Sequence, residues 1–295
     1  MSKLKFIPGR PPGPPKTDYR TIRLDQVLKS LPPAPETADV DDAVNQAVHI
    51  IIADHFMWLN DTYGICVVAG WLAELLRWET QEQGKQPVFT DADAKKEYFA
   101  QTGGVDSGLN LLDYLKHLRK DGIVLGGKTY KIHAFASIDI KNHEQVKLAV
   151  QYFRGAYLGM MVPQSMMDQF DAGQIFDVVA HDGGLKGGHC VYGPAYLKFR
   201  VEAVTQVGPV IRTWAKRVQA TWSFFDKYFD EGYIVIDADD AQAVNHIDME
   251  ALDVLLAEVT NAPPPPDPIP PAPEPPAPPK PGCLGTGLLG IFKRR

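Results

Sequence analysis

The amino-acid sequence predicts an α+β domain, with a helical first half followed by a half built on antiparallel strands. Three observations carry this. Apolar residues recur at three- and four-residue spacing over 44–58, 66–78, 109–119 and 143–153, which is helical periodicity. From residue 156 the pattern shortens: 156–162, 189–204, 210–214 and 233–236 are rich in β-branched and aromatic residues and are bounded by Gly or Pro, as strands are. Helices come first and strands later, with no βαβ alternation and no internal repeat.

The ends of the chain read differently. Of its 25 prolines, eight lie at or before Pro35 and thirteen from Pro263 onward. Residues 1–40 combine prolines with Lys3, Lys5, Arg10, Lys16, Arg20, Arg23 and Lys29 and show no sustained period, so an extended basic arm is expected there. The domain is expected over 41–262. Residues 263–281 have the composition of a polyproline II spacer. Residues 282–295 place Leu284, Leu288, Leu289, Ile291 and Phe292 ahead of Lys293, Arg294 and Arg295, a peptide suited to docking on an assembly partner or an anionic membrane surface.

Composition narrows the function. With 295 residues, 45% hydrophobic and 22% charged, the chain can bury a full core, which excludes chain-wide disorder and collagen-like repeats. A net charge of −6 gives no general attraction to nucleic acid, so no nucleic-acid partner is expected. No apolar run reaches signal-peptide or membrane-span length, and a cytoplasmic location is the expectation. Cys66, Cys190 and Cys283 are too few and too scattered for a disulfide framework or a thiolate zinc site. Asp237, Asp239, Asp240 and Asp248 lack the glycine and terminal glutamate of a calcium loop and read as a solvated acidic edge. No cofactor or metal is expected. The methionines at 160, 161, 166 and 167 read as core or cleft lining.

Two segments carry chemistry. In Asn60-Asp-Thr-Tyr-Gly-Ile-Cys66-Val-Val-Ala-Gly-Trp71, a polar loop runs into an apolar helix that opens on Cys66. Unpaired N–H groups and the helix dipole at such a terminus favour thiolate, the nucleophilic form. A packed core cysteine is the ordinary alternative. The second segment, Gly183-Gly-Leu-Lys-Gly-Gly-His189-Cys190, delivers a histidine from a glycine-rich turn to the start of a strand, where it can serve as the base a thiol nucleophile needs. His55, His133 and His181 are weaker candidates, since none begins a strand from such a turn. Cys190, adjacent to His189 on the strand, should point to the opposite sheet face and into core.

With these residues the chain resembles the papain-like cysteine peptidases, and in particular divergent members found in bacteriophage genomes. Asn60, Gly64 and Cys66 stand where that family has its oxyanion-hole glutamine, a glycine and the nucleophile, and His189 follows Cys66 by 123 residues. Gly103-Gly104 with the helix at 109–118, the segment 146–162, Ile211-Arg-Thr-Trp214 and 230–236 match further stretches in order, so the resemblance spans about residues 44–238. It implies the papain-like fold, a helical half with a central cysteine-bearing helix joined to an antiparallel sheet or barrel half. It implies a cysteine hydrolase of peptide or related amide bonds: Cys66 as nucleophile, His189 as base and then acid within hydrogen-bond reach of the thiol, and Asn60 with the Cys66 N–H as oxyanion hole. The chain also departs from the pattern. The family's orienting asparagine falls on Arg212, which leaves its neighbour Thr213 as third member; Ile65 and Val67 replace a small residue and an aromatic; Tyr63 stands where a disulfide cysteine is common; and no inhibitory pro-segment of ordinary length is expected. The missing asparagine and the two unusual ends support an alternative reading, a catalytically inactive binding or structural module such as a virion or assembly component. Trp214 and Trp222 either shelter the Cys–His pair or pack beneath the sheet.

Overall fold

The computed structural model of the chain describes residues 4–11, 21–237 and 245–261, the side chains of 259–261 excepted. The chain divides into two units, Met1–Ala262 and Pro263–Arg295. The second unit, with the spacer, Cys283 and the terminal peptide, lies outside the described residues, as do Asp239 and Asp240 of the acidic edge.

The first half is helical: α1 (Leu24–Val27), a short β1 (Ala38–Asp39), α2 (Val40–Val48), α3 (Cys66–Gln83), α4 (Asp91–Gln101) and α5 (Leu111–Lys120). The helix expected over 44–58 starts earlier and ends sooner. Asp39 caps α2 by accepting the Asp41 N–H, and His49 closes it in the left-handed region at φ 58°. Helix α4 was not anticipated; Thr90 and Asp93 form a capping box at its start. A two-stranded hairpin follows, β2 (Ile123–Leu125) and β3 (Lys128–Tyr130), turning through Gly126 and Gly127 at φ 56° and 84°.

The second half contains β4 (Ala134–Ser137), α6 (His143–Phe153), β5 (Ala156–Pro163), α7 (Gln164–Asp171), β6 (Leu185–Val201), β7 (Val204–Thr213), β8 (Lys216–Gln219), α8 (Trp222–Tyr228), β9 (Phe229–Ile236) and α9 (Met249–Asn261). The strands pair antiparallel in the order β4-β9-β5-β6-β7-β8, with β1 added on β6. The path ends at β4 and β8, so the sheet is open and the barrel alternative does not hold. Strand β6 pairs with β5 along its first part and with β7 along its second, shifting register around Gly193-Pro194.

Strand alternation assigns the two faces. Tyr157, Cys190, Tyr192, Tyr233 and Val235 pack with α3, whereas Leu158, Met160, Val191, Ile234 and Ile236 pack with residues of α6, α7 and α8. Helix α3 is enclosed: even Glu74 and Arg77 are fully buried. Arg77 is neutralised by Asp41 at 2.6 Å and Asp54 at 2.6 Å. The stretch before residue 41 is not a free arm. Ile22, Leu24 and Val27 are buried in the sheet-side core, and β1 joins the sheet, so the packed unit begins well before the expected boundary. Trp222 stacks on His143 with ring centroids 4.0 Å apart and packs against the sheet-side core. No helix among the described residues is long and apolar enough to cross a membrane.

Candidate active site

Cys66 is the first residue of α3, and its N-cap, Ile65, offers no side-chain cap. The leading N–H groups of the helix are therefore free of the usual side-chain acceptor. The thiol is completely enclosed; the Cys190 N–H donates to Sγ at 3.2 Å. Burial pushes the thiol up to about 12, against the pull of the Cys190 N–H and the Arg10 cation.

His189 stands beside this strand contact on the opposite face of β6. It too is fully buried, and its Nε2 lies 2.8 Å from Thr213 Oγ1. Nδ1 has no hydrogen-bond partner. Burial pushes the imidazole down to about 3, and the Arg10 cation adds to the effect. The indole of Trp214 stacks on the ring at 4.7 Å. Trp214 and Ala215 form the two-residue turn joining β7 to β8, at φ 45° and 59°. A turn with both central residues left-handed matches strand twist but normally uses Gly or Asn, so this turn carries backbone strain at the residue that covers the histidine.

Asn60 is delivered in a similar way. Its N–H donates to the Met57 carbonyl at 3.0 Å across a turn in which Trp58 and Leu59 are both left-handed, at φ 48° and 61°. The residue is 3% exposed and its Oδ1 has no hydrogen-bond partner. The loop that follows is tied to the facing loop: Asp106 Oδ1 accepts from the Gly64 N–H at 2.9 Å and the Tyr98 hydroxyl at 2.6 Å, and that hydroxyl accepts from the Gly108 N–H at 2.9 Å. Arg212, in the place of the family's asparagine, turns away from His189. Its Nε donates to Asp54 at 3.0 Å, another nitrogen donates to the Phe56 carbonyl at 2.5 Å, and the guanidinium lies over Trp58. It thereby anchors the strand carrying Thr213 to the turn carrying Asn60.

The structure thus brings Cys66, His189 and Thr213 together around the start of β6, with Asn60 on the loop leading into α3. One expected link is not made: thiol and imidazole are not hydrogen-bonded. A segment that composition marked only as extended lies against both groups. Residues 6–10 run through the cleft. Phe6 packs edge-on against His189 at 5.6 Å and Trp214 at 5.9 Å. Gly9 lies so close to the thiol that a Cβ there would fall 2.5 Å from Cys66 Sγ and 2.5 Å from the Gly64 carbonyl oxygen. Its own carbonyl accepts from the Leu109 N–H at 2.8 Å. The Arg10 N–H donates to the Gly188 carbonyl at 3.3 Å, and its guanidinium is held by Asp230 at 2.5 Å and Glu231 at 2.7 Å. Asp106, Tyr98, Arg212 and the cleft-bound segment escaped sequence reasoning, because their roles arise from partners far away in the chain. Among the described residues, no three His, Cys, Asp or Glu side chains are grouped to hold a metal ion.

No protein-family profile matches the chain, and no curated protein matches it. Solved structures do. Xylellain, a cysteine protease from Xylella fastidiosa, superposes with a TM-score of 0.56 at 14% identity, covering 81% of this chain and 99% of that one. Procathepsin B from Trypanosoma congolense gives 0.50 at 13% identity over 77% and 86% of the two chains. The proform of the ragweed pollen cysteine protease Amb a 11 gives 0.50 at 14% identity over 70% and 67%. At these identities the likeness concerns the backbone, and together with the element order and open antiparallel sheet it establishes that this chain has the papain-like cysteine protease fold.

Proposed function

We propose that the protein is a cysteine peptidase of papain-like type, held in a closed form by its own N-terminal segment. The observation that carries the reading is the arrangement around the start of β6: a thiol opening α3 and an imidazole paired with Thr213 line one cleft, and a peptide of the same chain already lies along it. In the catalytic cycle the segment first leaves. Nε2–H of His189 donates to Thr213, which leaves the Nδ1 lone pair as the base. Nδ1 takes the thiol proton of Cys66, and the sulfur attacks the substrate carbonyl carbon to form a C–S bond. Charge gathers on the carbonyl oxygen, where the Cys66 N–H and the Asn60 amide donate; each such donor is worth on the order of 10²- to 10³-fold in rate. The C–N bond breaks as Nδ1–H passes its proton to the amine. Water, deprotonated at Nδ1, then attacks the thioester, releasing the acid and restoring the thiol.

In the closed form both partners are neutral, since burial opposes the thiolate and the imidazolium alike. The test is labelling with an electrophilic peptide probe followed by turnover of a fluorogenic peptide mixture. Labelling at Cys66, and loss of labelling and turnover in Cys66→Ser, support the peptidase. A folded chain whose Cys66 never reacts and which cleaves nothing, even when Gly9→Ala opens the cleft, supports the inactive binding module instead.

A further inference from the structure

Arg10 occupies a cavity shaped for a guanidinium. Two of its nitrogens reach the carboxylates of Asp230 and Glu231 at 2.5–2.7 Å, and its side chain is 2% exposed. Glu231 is itself almost fully buried, and its second oxygen accepts from the Tyr233 hydroxyl at 3.1 Å. The walls are made by glycines. A Cβ on Gly159 would fall 2.7 Å from an Arg10 nitrogen and 2.5 Å from Glu231 Cγ; one on Gly188 would fall 2.9 Å from Arg10 Nε. The room for this side chain therefore exists because β5 and β6 present bare backbone there.

The position of the cavity in the cleft matters as much as its chemistry. The residue before Arg10 lies on Cys66 Sγ, and the Arg10 N–H bonds to the carbonyl of Gly188, the residue next to His189. A bound peptide with one residue over the sulfur would place its neighbour's side chain in this cavity. A buried Glu231 beside the partly exposed Asp230 is costly without a cation, so once residues 6–10 depart the cavity is best filled by another cation, and its paired carboxylates match a planar fork better than an ammonium.

We infer that Asp230 and Glu231, with the glycine walls of β5 and β6, form the specificity pocket of the cleft and select peptides carrying arginine next to the residue that contacts Cys66. The inference rests on the peptidase reading, but the pocket can be tested apart from catalysis. In the full chain, Arg10→Ala empties the cavity. Methylguanidinium should then raise its melting temperature by several degrees, leave the wild type unmoved, and lose its effect in Arg10→Ala/Glu231→Gln; methylammonium should act weakly. No stabilisation by methylguanidinium, or equal stabilisation by both cations, overturns the pocket. In position-scanned peptide mixtures, Arg10→Ala should cleave arginine-containing peptides roughly tenfold or more faster than the norleucine equivalents, with the preference reduced in the double variant. Cleavage without arginine preference overturns the pocket and leaves the peptidase standing. Rescue without cleavage of any peptide leaves the pocket standing and removes the peptidase. Should Arg10→Ala not fold in buffer alone, folding in the presence of methylguanidinium and not of methylammonium supports the pocket, and failure with both overturns it.

Discussion

Gly9→Ala isolates the closed form with one methyl group. The added carbon would sit 2.5 Å from both Cys66 Sγ and the Gly64 carbonyl oxygen, and the backbone oxygen cannot rotate away as a side chain would. Overpacking of this kind costs about 1–3 kcal/mol. Only the closed form bears that cost, so the ratio of open to closed molecules should rise roughly five- to 140-fold, at about tenfold per 1.4 kcal/mol. Alkylation of Cys66 reads this ratio directly. In the closed form the thiol is unexposed and pushed up to about 12, so at pH 7 its thiolate fraction is about 10⁻⁵, by the five units that separate them. Reaction therefore proceeds through the open form, and iodoacetamide modification followed by peptide mapping should show Cys66 modified faster by that factor, with Cys190 unaffected. If Gly9→Ala alkylates at the wild-type rate, residues 6–10 do not gate the thiol and the closed-form argument fails.

The gate should also respond to pH. Buried His189 is held at about 3, whereas the open form returns toward the ordinary value near 6.5 and binds a proton that the closed form does not; opening therefore gains up to about tenfold per pH unit below 6.5, until about pH 3. The thiol works in the opposite range, favouring opening above its ordinary value of about 8.5, so the protection factor of the Leu109 amide, whose N–H bonds to Gly9, should be highest between about pH 6.5 and 8.5 and fall on either side. Thr213→Val keeps the strand but leaves buried Nε2 without a partner, which should cost about 1–3 kcal/mol in denaturant titration and lower kcat, with Thr213→Ser restoring both. Asp54 is buried, which favours its neutral form, yet Arg77 and Arg212 prevail and hold its carboxyl down at about 2. The stability it contributes is present above its unfolded value of 3.8 and lost as pH falls toward 2, about 2 kcal/mol that should appear in wild-type acid unfolding and be missing from Asp54→Asn. Ala215→Gly relieves one left-handed residue beside Trp214 and should raise stability by roughly 1 kcal/mol in calorimetry.

How much of this was legible in the sequence depends on how local the cause is. The cysteine after a polar loop and the histidine after a glycine turn are local signals, and the structure places both side chains at the start of β6. Cys190 points into the α3 face because neighbours on a strand must diverge. Gly126-Gly127 and the Thr90–Asp93 capping box were local signals too, passed over beside longer apolar patterns. Arg212 read as a missing asparagine; its work with Asp54 and the Phe56 carbonyl depends on a segment more than 150 residues away. The proline-rich start read only as an extended basic arm because its partners are the bare backbones of Gly187 and Gly188 and the carboxylates of β9, which no periodicity reports.

Because residues 6–10 belong to the same chain as the cleft they fill, they compete with every other peptide as a tethered ligand. Tethering sets an effective concentration of order millimolar and does not dilute with the sample. A substrate or inhibitor that fits the cleft well will therefore look weak against the intact chain, its apparent Kd being the intrinsic value divided by the small fraction of open molecules. Raising the protein concentration changes nothing, and a free peptide of sequence Phe-Ile-Pro-Gly-Arg would have to reach comparable concentrations to replace its covalent counterpart. Screens run on the unaltered chain would therefore rank compounds chiefly by their ability to displace a built-in rival, and only secondarily by their fit to the cleft.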